Sequence, residues 1–281
     1  MLYLVFVRTA WGQQLDDAAF DGRSVVSPAQ TAETDRLLQG ITRSSLALLG
    51  GALVLIAIGR GRVRLAIVVA AALGGSLLTS ELLKTVLGRP LLDVAVGIAD
   101  NSFPSGHAAI GISLSLGLVF VVARRWRWSA AIAAAVVATL FGTAVLTSGW
   151  HRPSDSVGAA LVSLAWFSAG AAVLIAWRGP GSPTRPDDAE IDDRAGPLAT
   201  ILAGAFVVTA AVAAVVLTMR AGGLRTVEYG LDYVVACVLI DVICVAVVAH
   251  VHFLLRGVDL DPRQVTSIRR PPPRRVGPDP G

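Results

Sequence analysis

Long apolar segments separated by short polar ones run through most of this chain of 281 residues. A helix that crosses a bilayer needs about 20 consecutive, predominantly apolar residues. Segments near this length predict transmembrane helices at 41–58, 65–83, 107–123, 130–148, 156–177, 198–218 and 232–255. The start of the chain, 1–7, is also apolar but too short to cross a membrane unaided, and we expect it to be the end of a further helix.

The pattern predicts an all-α, polytopic membrane helical bundle. Residues 11–40 mix acidic and apolar side chains, and they form either an amphipathic surface helix or an ordinary loop. The chain is predicted to have five parts. Residues 1–40 are a partial first helix and an extracytoplasmic surface segment, and 41–177 hold the other five helices of a six-helix core. They are followed by 178–197 (cytoplasmic linker), 198–255 (two further C-terminal transmembrane helices) and 256–281 (disordered, basic, Pro-rich tail).

The composition agrees with a membrane protein and excludes several other classes. The chain is 54% hydrophobic and only 16% charged, whereas a soluble domain has about 25% charged residues. Such a chain is too apolar to be disordered, to bind nucleic acid or to be a small secreted domain held by disulfides. Most of the 24 Lys and Arg residues fall in loops on one side of the predicted helices. The positive-inside rule makes that side cytoplasmic, together with the C-terminus.

Three polar clusters interrupt the apolar pattern at helix ends, over residues 84–90, 101–107 and 149–155. Polar groups are costly inside a bilayer, and therefore such clusters often mark a functional site. With the predicted order of helices, all three clusters reach the same, extracytoplasmic, side of the membrane. We therefore expect one site where they converge.

Several side chains in these clusters suit the binding of a phosphate group. Lys84, Arg89 and Arg152 are cations that can hold phosphate oxygens. Ser105 and Gly106 stand at a predicted helix start, where free N–H groups and the helix dipole attract an anion. No Cys, His and carboxylate set has metal-ligand spacing, and we expect a reaction that uses neither a metal nor another cofactor.

Two histidines in the same clusters can divide the work of phosphoryl transfer. One attacks phosphorus, and the other protonates the departing oxygen. His151 and Asp155 are four residues apart, so they share one face of a helix that has begun by His151. A carboxylate in that position fixes the tautomer and orientation of an imidazole. His107 is the remaining histidine of the three clusters.

Each cluster by itself also has a purely structural explanation. Lys84 can pair with Glu81 one turn back, and Pro104 can open an ordinary helix start. Pro153 followed by Asp155 is a normal first turn of a helix. These explanations would have to hold together on one membrane face that also carries two of the chain's four histidines. The convergence therefore favours a site.

The segments resemble the type 2 phosphatidic acid phosphatase superfamily, whose pattern is K-x6-RP, then PSGH, then SR-x5-H-x3-D. Here 104–107 reads Pro-Ser-Gly-His, His151 and Asp155 match the H-x3-D part, and Lys84 matches the first lysine. The resemblance implies that His151 forms a phosphohistidine, that Asp155 orients it, and that His107 is the general acid for the leaving group. It further implies phosphate binding by Lys84, Ser105 and Gly106.

The sequence departs from the pattern at both arginines. The first arginine-proline pair is expected at Leu91-Leu92, but Arg89-Pro90 comes two residues earlier. The serine-arginine pair is expected at Ala144-Val145, where neither residue is present. Our hypothesis is that Arg89 and Arg152 supply the missing positive charge from neighbouring positions.

The resemblance implies an integral membrane enzyme that removes phosphate from a lipid phosphate or pyrophosphate at the extracytoplasmic face of the cell membrane. Its partners would be this substrate and the membrane lipids. A lipid phosphotransferase with the same site, and a transporter or scaffold with a degenerate site, are the alternatives. His250, His252 and the mid-span Asp241 fall outside the three clusters, and we favour structural roles for them.

Overall fold

The computed structural model describes residues 1–40, 43–90, 92, 101–177 and 226–256. The predicted helix 198–218, the predicted linker and the tail beyond residue 256 lie outside these residues. Every regular element that is described is helical, as predicted. The helices are α1 (Leu2–Phe6), α2 (Ala10–Gly22), α3 (Pro28–Gly40), α4 (Arg43–Gly59), α5 (Val63–Val86), α6 (Gly106–Val121), α7 (Arg127–Thr147), α8 (Pro153–Ala176) and α9 (Thr226–Leu254), with short 3-10 turns at Arg23–Val25 and Arg124–Trp126.

Several of these helices have the length and apolar character of membrane spans. Four candidates are long enough to cross a bilayer, namely Val63–Val86, Arg124–Thr147, Pro153–Ala176 and Gly230–Leu254. Two further predicted spans form shorter apolar helices, Ala47–Gly59 and Gly106–Val121. The chain is therefore a helical membrane protein, and the predicted fold class is confirmed.

Helix α6 lies at the centre of the bundle and packs against α4, α5, α7 and α8. It is apolar on nearly all sides, which is typical of a helix buried within a bundle. Gly111 allows the close approach of α7, because a methyl group there would stand 2.1 Å from the Phe141 ring. On the α8 side, the hydroxyl groups of Ser113 and Ser163 are 3.0 Å apart. Close packing thus fixes where α6 begins relative to its neighbours.

Arginine side chains close the C-terminal ends of several helices at one end of the bundle. A cation there neutralises the negative end of the helix dipole and satisfies carbonyl groups that have no partner within the helix. Arg60, Arg64 and Arg127 donate to the carbonyl oxygens of Val121 at 3.0 Å, Trp177 at 3.2 Å and Leu255 at 2.7 Å, respectively. We call the opposite end, where α5 ends and α6 and α8 begin, the site end.

The N-terminal helices also attach to the site end. The Tyr3 hydroxyl donates to the carbonyl oxygen of Gly88 at 2.6 Å. Gln13 Nε2 donates to the carbonyl oxygen of Pro90 at 2.9 Å. Helix α2 packs along α9 and also contacts α8. The segment 11–40 therefore forms two helices and a turn, and its first helix is built into the bundle.

Candidate functional site

The end of α5 and the start of α6 bring Lys84 against Gly106. A methyl group on Gly106 would stand 3.2 Å from Lys84 Nζ and 2.7 Å from Glu81 Oε1. Lys84 Nζ also forms an ion pair with Glu81 Oε1 at 3.0 Å, so the structural pairing considered from the sequence is present. The Lys84 side chain remains 24% exposed. One ammonium group therefore lies over the N-terminus of α6 and still reaches the surface.

Ser105 is the residue that begins α6. Its hydroxyl accepts a hydrogen bond from the backbone N–H of Ala108 at 3.2 Å, which satisfies one of the N–H groups left unpaired at a helix start. The Ser105 backbone N–H donates to the backbone carbonyl oxygen of Asp155 at 3.0 Å. Ser105 thus joins the second and third polar clusters through main-chain and side-chain contacts, and it is fully buried.

His151 and Asp155 form a hydrogen-bonded pair at the start of α8. Nδ1 of His151 lies 3.1 Å from Oδ2 of Asp155. The carboxylate is fully buried, whereas the His151 side chain is 11% exposed. The same Oδ2 atom accepts the backbone N–H of Arg152 at 3.0 Å. Asp155 therefore does two things: it orients the His151 ring, and it accepts a backbone N–H at the start of α8.

Ser102 is a third donor to Asp155 that the sequence analysis did not single out. Its hydroxyl donates to Asp155 Oδ2 at 2.6 Å. Its neighbour Asn101 donates to the carbonyl oxygen of Leu87 just beyond the end of α5. Both residues lie in the second polar cluster, 101–107, and that membership was the sequence signal for them. Together they tie the loop before α6 to both α5 and α8.

His107 reaches the neighbourhood of His151 through Trp150. The rings of His107 and Trp150 meet edge to face, with centroids 5.0 Å apart, and Trp150 directly precedes His151. The turn before it uses Gly149 in the left-handed region, with φ of 71°. A methyl group on Gly149 would also stand 2.7 Å from Nε of Arg23. The turn therefore requires glycine at this position.

The two arginines proposed from the sequence as phosphate ligands meet at a carboxylate from α2. Arg152 Nε donates to Oδ1 of Asp17 at 2.5 Å. Nη2 of Arg89 lies 3.8 Å from the same oxygen. The side chains of Arg152 and Arg89 are only 2% and 4% exposed. Burial and the neighbouring Arg152 charge lower the pKa of Arg89, while Asp17 opposes that shift.

Asp16, the residue before Asp17, attaches to the second residue of α8. Its Oδ1 accepts the backbone N–H of Ser154 at 3.0 Å, and its Oδ2 accepts the Ser154 hydroxyl at 2.5 Å. Burial raises the pKa of Asp16 to about 7, the nearby charge of Asp155 adds to the rise, and the bonds from Ser154 oppose it. Asp16 and Asp17 are buried. From the sequence, both were expected in a surface helix or loop outside the three polar clusters.

The structure therefore divides the predicted site residues into two adjoining groups. In the first group, Lys84 lies against Gly106, and Ser105 is bonded to Asp155, which holds His151. His107 belongs to this group because its ring contacts Trp150, the residue before His151. The second contains Arg89 and Arg152, brought together at Asp17. Within the described residues, no group of three or more His, Cys, Asp and Glu is arranged to hold a metal ion.

A comparison with known proteins bears on the first group. Residues 64–178 match the family model described as the PAP2 superfamily. This stretch is similar to the PAP2 superfamily, which supports the resemblance seen in the sequence motifs. The matched region runs from the second residue of α5 past the end of α8 and includes every predicted site residue, whereas Asp16 and Asp17 lie outside it. No curated protein and no solved structure matched the chain.

The match to the PAP2 superfamily and the apolar helices fit a membrane protein of phosphatase type. The chemistry of the first group agrees with that class. An imidazole held by a buried carboxylate is an activated nucleophile. An ammonium group and a helix N-terminus beside it can stabilise negative charge on phosphate oxygens.

The contact between Lys84 and Gly106 gives a specific prediction for Gly106→Ala. The added methyl group displaces the ends of the flexible Lys84 and Glu81 side chains, so the fold is retained while the ammonium group moves. Loss of one charge-assisted hydrogen bond is worth about 1.5–3 kcal/mol, so KM for a phosphate substrate should rise by about tenfold or more.

Steady-state phosphate release and thermal unfolding of the purified protein measure both effects of this change. Gly88→Ala is the matched control, because a methyl group there has no atom within 4 Å. An unchanged KM in Gly106→Ala would contradict the prediction that Lys84 binds the phosphate group.

Proposed function

We propose that this protein is an integral membrane phosphatase that hydrolyses a lipid phosphate or pyrophosphate through a phosphohistidine at His151. The observation that carries the proposal is the His151–Asp155 pair, in which Nδ1 lies 3.1 Å from a fully buried carboxylate. Because an ionised carboxylate can only accept a hydrogen bond, we infer that Nδ1 carries the imidazole proton. The lone pair of Nε2 is then available for attack on phosphorus.

In the first step, Nε2 of His151 forms a bond to phosphorus, and the bond between phosphorus and the leaving-group oxygen breaks. His107 gives its proton to that oxygen, so the lipid alcohol, or the lipid monophosphate from a pyrophosphate, departs protonated. In the second step, neutral His107 takes a proton from water. The water oxygen attacks phosphorus, inorganic phosphate leaves, and His151 regains its lone pair.

Charge develops on the phosphate oxygens during both steps, and the site has several groups to hold it. Lys84 supplies an ammonium group over the start of α6. Gly106 provides a backbone N–H group at the positive end of the α6 dipole. Ser105 can offer its hydroxyl proton, because its backbone N–H is already bonded to the Asp155 carbonyl oxygen. Arg89, whose Nη1 and Nη2 have no hydrogen-bond acceptor, adds a guanidinium group. Arg152 contributes positive charge from a position where Asp17 already holds its Nε.

The position of the site supports a lipid as substrate. Lys84 ends the apolar helix α5 and His151 precedes the apolar helix α8, so the reacting groups lie at one rim of the bundle. A lipid headgroup is held at that depth of a bilayer, with its chains beside the apolar helices. The excess of arginine in the loops at the other end supports an extracytoplasmic position for the site.

A panel of lipid phosphates tests the proposal on the purified full-length protein in detergent. Phosphatidate, phosphatidylglycerophosphate and a polyprenyl pyrophosphate are supplied with a metal chelator, with and without an added alcohol acceptor. We expect chelator-resistant release of inorganic phosphate from at least one of them. Transfer of phosphate to the alcohol in place of release would identify a phosphotransferase. Turnover that depends on an added divalent metal, or turnover of none of the lipids, would contradict the proposal.

A further inference from the structure

We propose that helix α2 completes the site, with Asp16 and Asp17 as positioning residues for the His151–Asp155 pair and for Arg89. This inference rests on the proposed function, because it assigns roles in the same reaction. It concerns residues outside the matched PAP2 region, which begins at residue 64. The contacts between α2 and the start of α8 carry it.

Helix α8 begins at a residue that cannot cap it with its side chain. A helix start leaves backbone N–H groups that need acceptors, and Ser, Thr, Asp or Asn normally supplies one. Arg152 occupies the capping position and has only donors. Asp16 supplies the missing acceptor from α2, through Oδ1 on the Ser154 N–H at 3.0 Å and Oδ2 on the Ser154 hydroxyl. A carboxylate there also suits the helix dipole.

Asp17 performs a related task one residue further along α2. It holds Arg152 by Nε at 2.5 Å, and the backbone N–H of the same Arg152 donates to Asp155. Any shift of Arg152 therefore alters the carboxylate that orients His151. The first turn of α8 is thus fixed by Asp155 from within and by Asp16 and Asp17 from α2.

Asp17 also places Arg89 without using up its donors. Arg89 Nη2 lies 3.8 Å from Asp17 Oδ1, beyond hydrogen-bond distance. The Nη1 and Nη2 atoms are buried and make no hydrogen bond. Asp17 balances the charge of this guanidinium group, whose N–H donors remain for phosphate oxygens. Arg152 and Arg89 thus differ: Arg152 is held by Asp17 through Nε, whereas Arg89 keeps two donor atoms that can bind phosphate.

The N-terminal segment is held in register with the site by contacts of its own. Gln13, one turn before Asp17, donates from Nε2 to the carbonyl oxygens of Val7 at 2.8 Å and of Pro90 at 2.9 Å. It therefore joins the turn between α1 and α2 to the residue that follows Arg89. These bonds set the distance between α2 and the loop that carries Arg89.

The test measures kcat, KM and the rate of phosphohistidine formation in variants of the full-length protein. Asp16→Ala removes the acceptor for Ser154, and Asp16→Asn keeps one acceptor as the conservative replacement. Asp17→Asn, Arg152→Gln and the double variant examine the second contact. Asp21→Asn is the matched control on the same helix, because its side chain is 72% exposed and its pair with Arg23 is long at 3.9 Å.

Misplacement of reacting groups by about 1 Å can cost about a hundredfold, so we expect Asp16→Ala to lower kcat by about that factor with KM within about threefold. Asp16→Asn should restore most of the rate. Asp17→Asn should lower kcat and also raise KM by about tenfold, because Arg89 loses its counter-charge. The double variant with Arg152→Gln should be no slower than the slower single one, and phosphohistidine formation should slow in parallel with kcat.

Unfolding temperatures in the same detergent separate positioning from a loss of folded protein. Normal kcat and KM in folded Asp16→Ala and Asp17→Asn, with an active wild type, would overturn this inference and leave the proposed function standing. Additive losses in the double variant, or Asp16→Asn as slow as Asp16→Ala, would also overturn it. An inactive wild type would overturn the proposed function and this inference with it.

Discussion

Replacement of His151 by alanine is expected to lower phosphate release from the best lipid substrate by about 10⁴- to 10⁶-fold, as loss of a nucleophile does in other enzymes. The imidazole makes the bond to phosphorus in the proposed mechanism, and no neighbouring side chain takes its place. The side chain is only 11% exposed and pairs with a fully buried carboxylate, so the unfolding temperature should also fall by a few degrees, while the protein stays folded. Phosphate release and thermal unfolding in one detergent measure the two effects.

His250→Ala is the matched control for this change. His250 is an exposed histidine of α9, outside the three polar clusters, so the same substitution there should leave kcat and KM unchanged. Residual turnover above about one per cent in a folded His151→Ala protein would be far too fast for an enzyme without its nucleophile. That result would move the nucleophile to another residue.

Replacement of His107 by alanine is expected to have an effect that depends on the leaving group. A general acid contributes about 10²- to 10⁴-fold when the departing oxygen needs a proton. A lipid alkoxide needs one, whereas p-nitrophenolate leaves readily without it. His107→Ala should therefore lose that factor with a lipid monophosphate and far less with p-nitrophenyl phosphate in the phosphorylation step. Burst kinetics on both substrates separate this step from hydrolysis of the phosphohistidine.

The comparison between substrates provides the control for His107. A substitution that merely disturbs the edge contact with Trp150 at 5.0 Å would slow both substrates by the same factor. Equal losses would therefore contradict the role of general acid. They would leave His107 as a packing partner of the turn that carries His151.

The helices and the first group of site residues could be predicted from the sequence because their signals are local. Apolar runs of membrane length predict helices without reference to the rest of the chain. His151 and Asp155 interact across one helical turn, and their spacing alone indicates that pairing. Lys84 and Gly106 required only the order of the helices to place them at one end of the bundle.

The role of α2 could not be predicted in the same way. Asp17 lies 135 positions from Arg152 in the chain, and Asp16 lies 138 from Ser154. No periodicity in an amphipathic segment distinguishes a carboxylate that faces water from one that faces a buried arginine. The clue available was chemical: an arginine at the start of α8 cannot cap that helix, so an acceptor had to come from elsewhere.

The arginines show why a match of motifs is incomplete without geometry. Arg89 and Arg152 both stand close to the matched residues, and their spacing alone does not separate their roles. In the structure both meet Asp17, but only Arg152 donates a hydrogen bond to it. Arg152 therefore uses a side-chain donor to bind Asp17 and Arg89 does not, a difference that the spacing in the sequence does not reveal.

Trapping of the phosphorylated enzyme tests the central claim most directly. The wild-type protein is mixed with its best lipid substrate, quenched in alkali within the first turnover and digested, and the peptides are analysed by mass spectrometry under basic conditions that preserve phosphohistidine. The account predicts a phosphoryl group on His151 that forms as fast as the burst of lipid product, and that is absent from His151→Ala. Rapid turnover with no phosphohistidine, or with the phosphoryl group on any other residue, would contradict it.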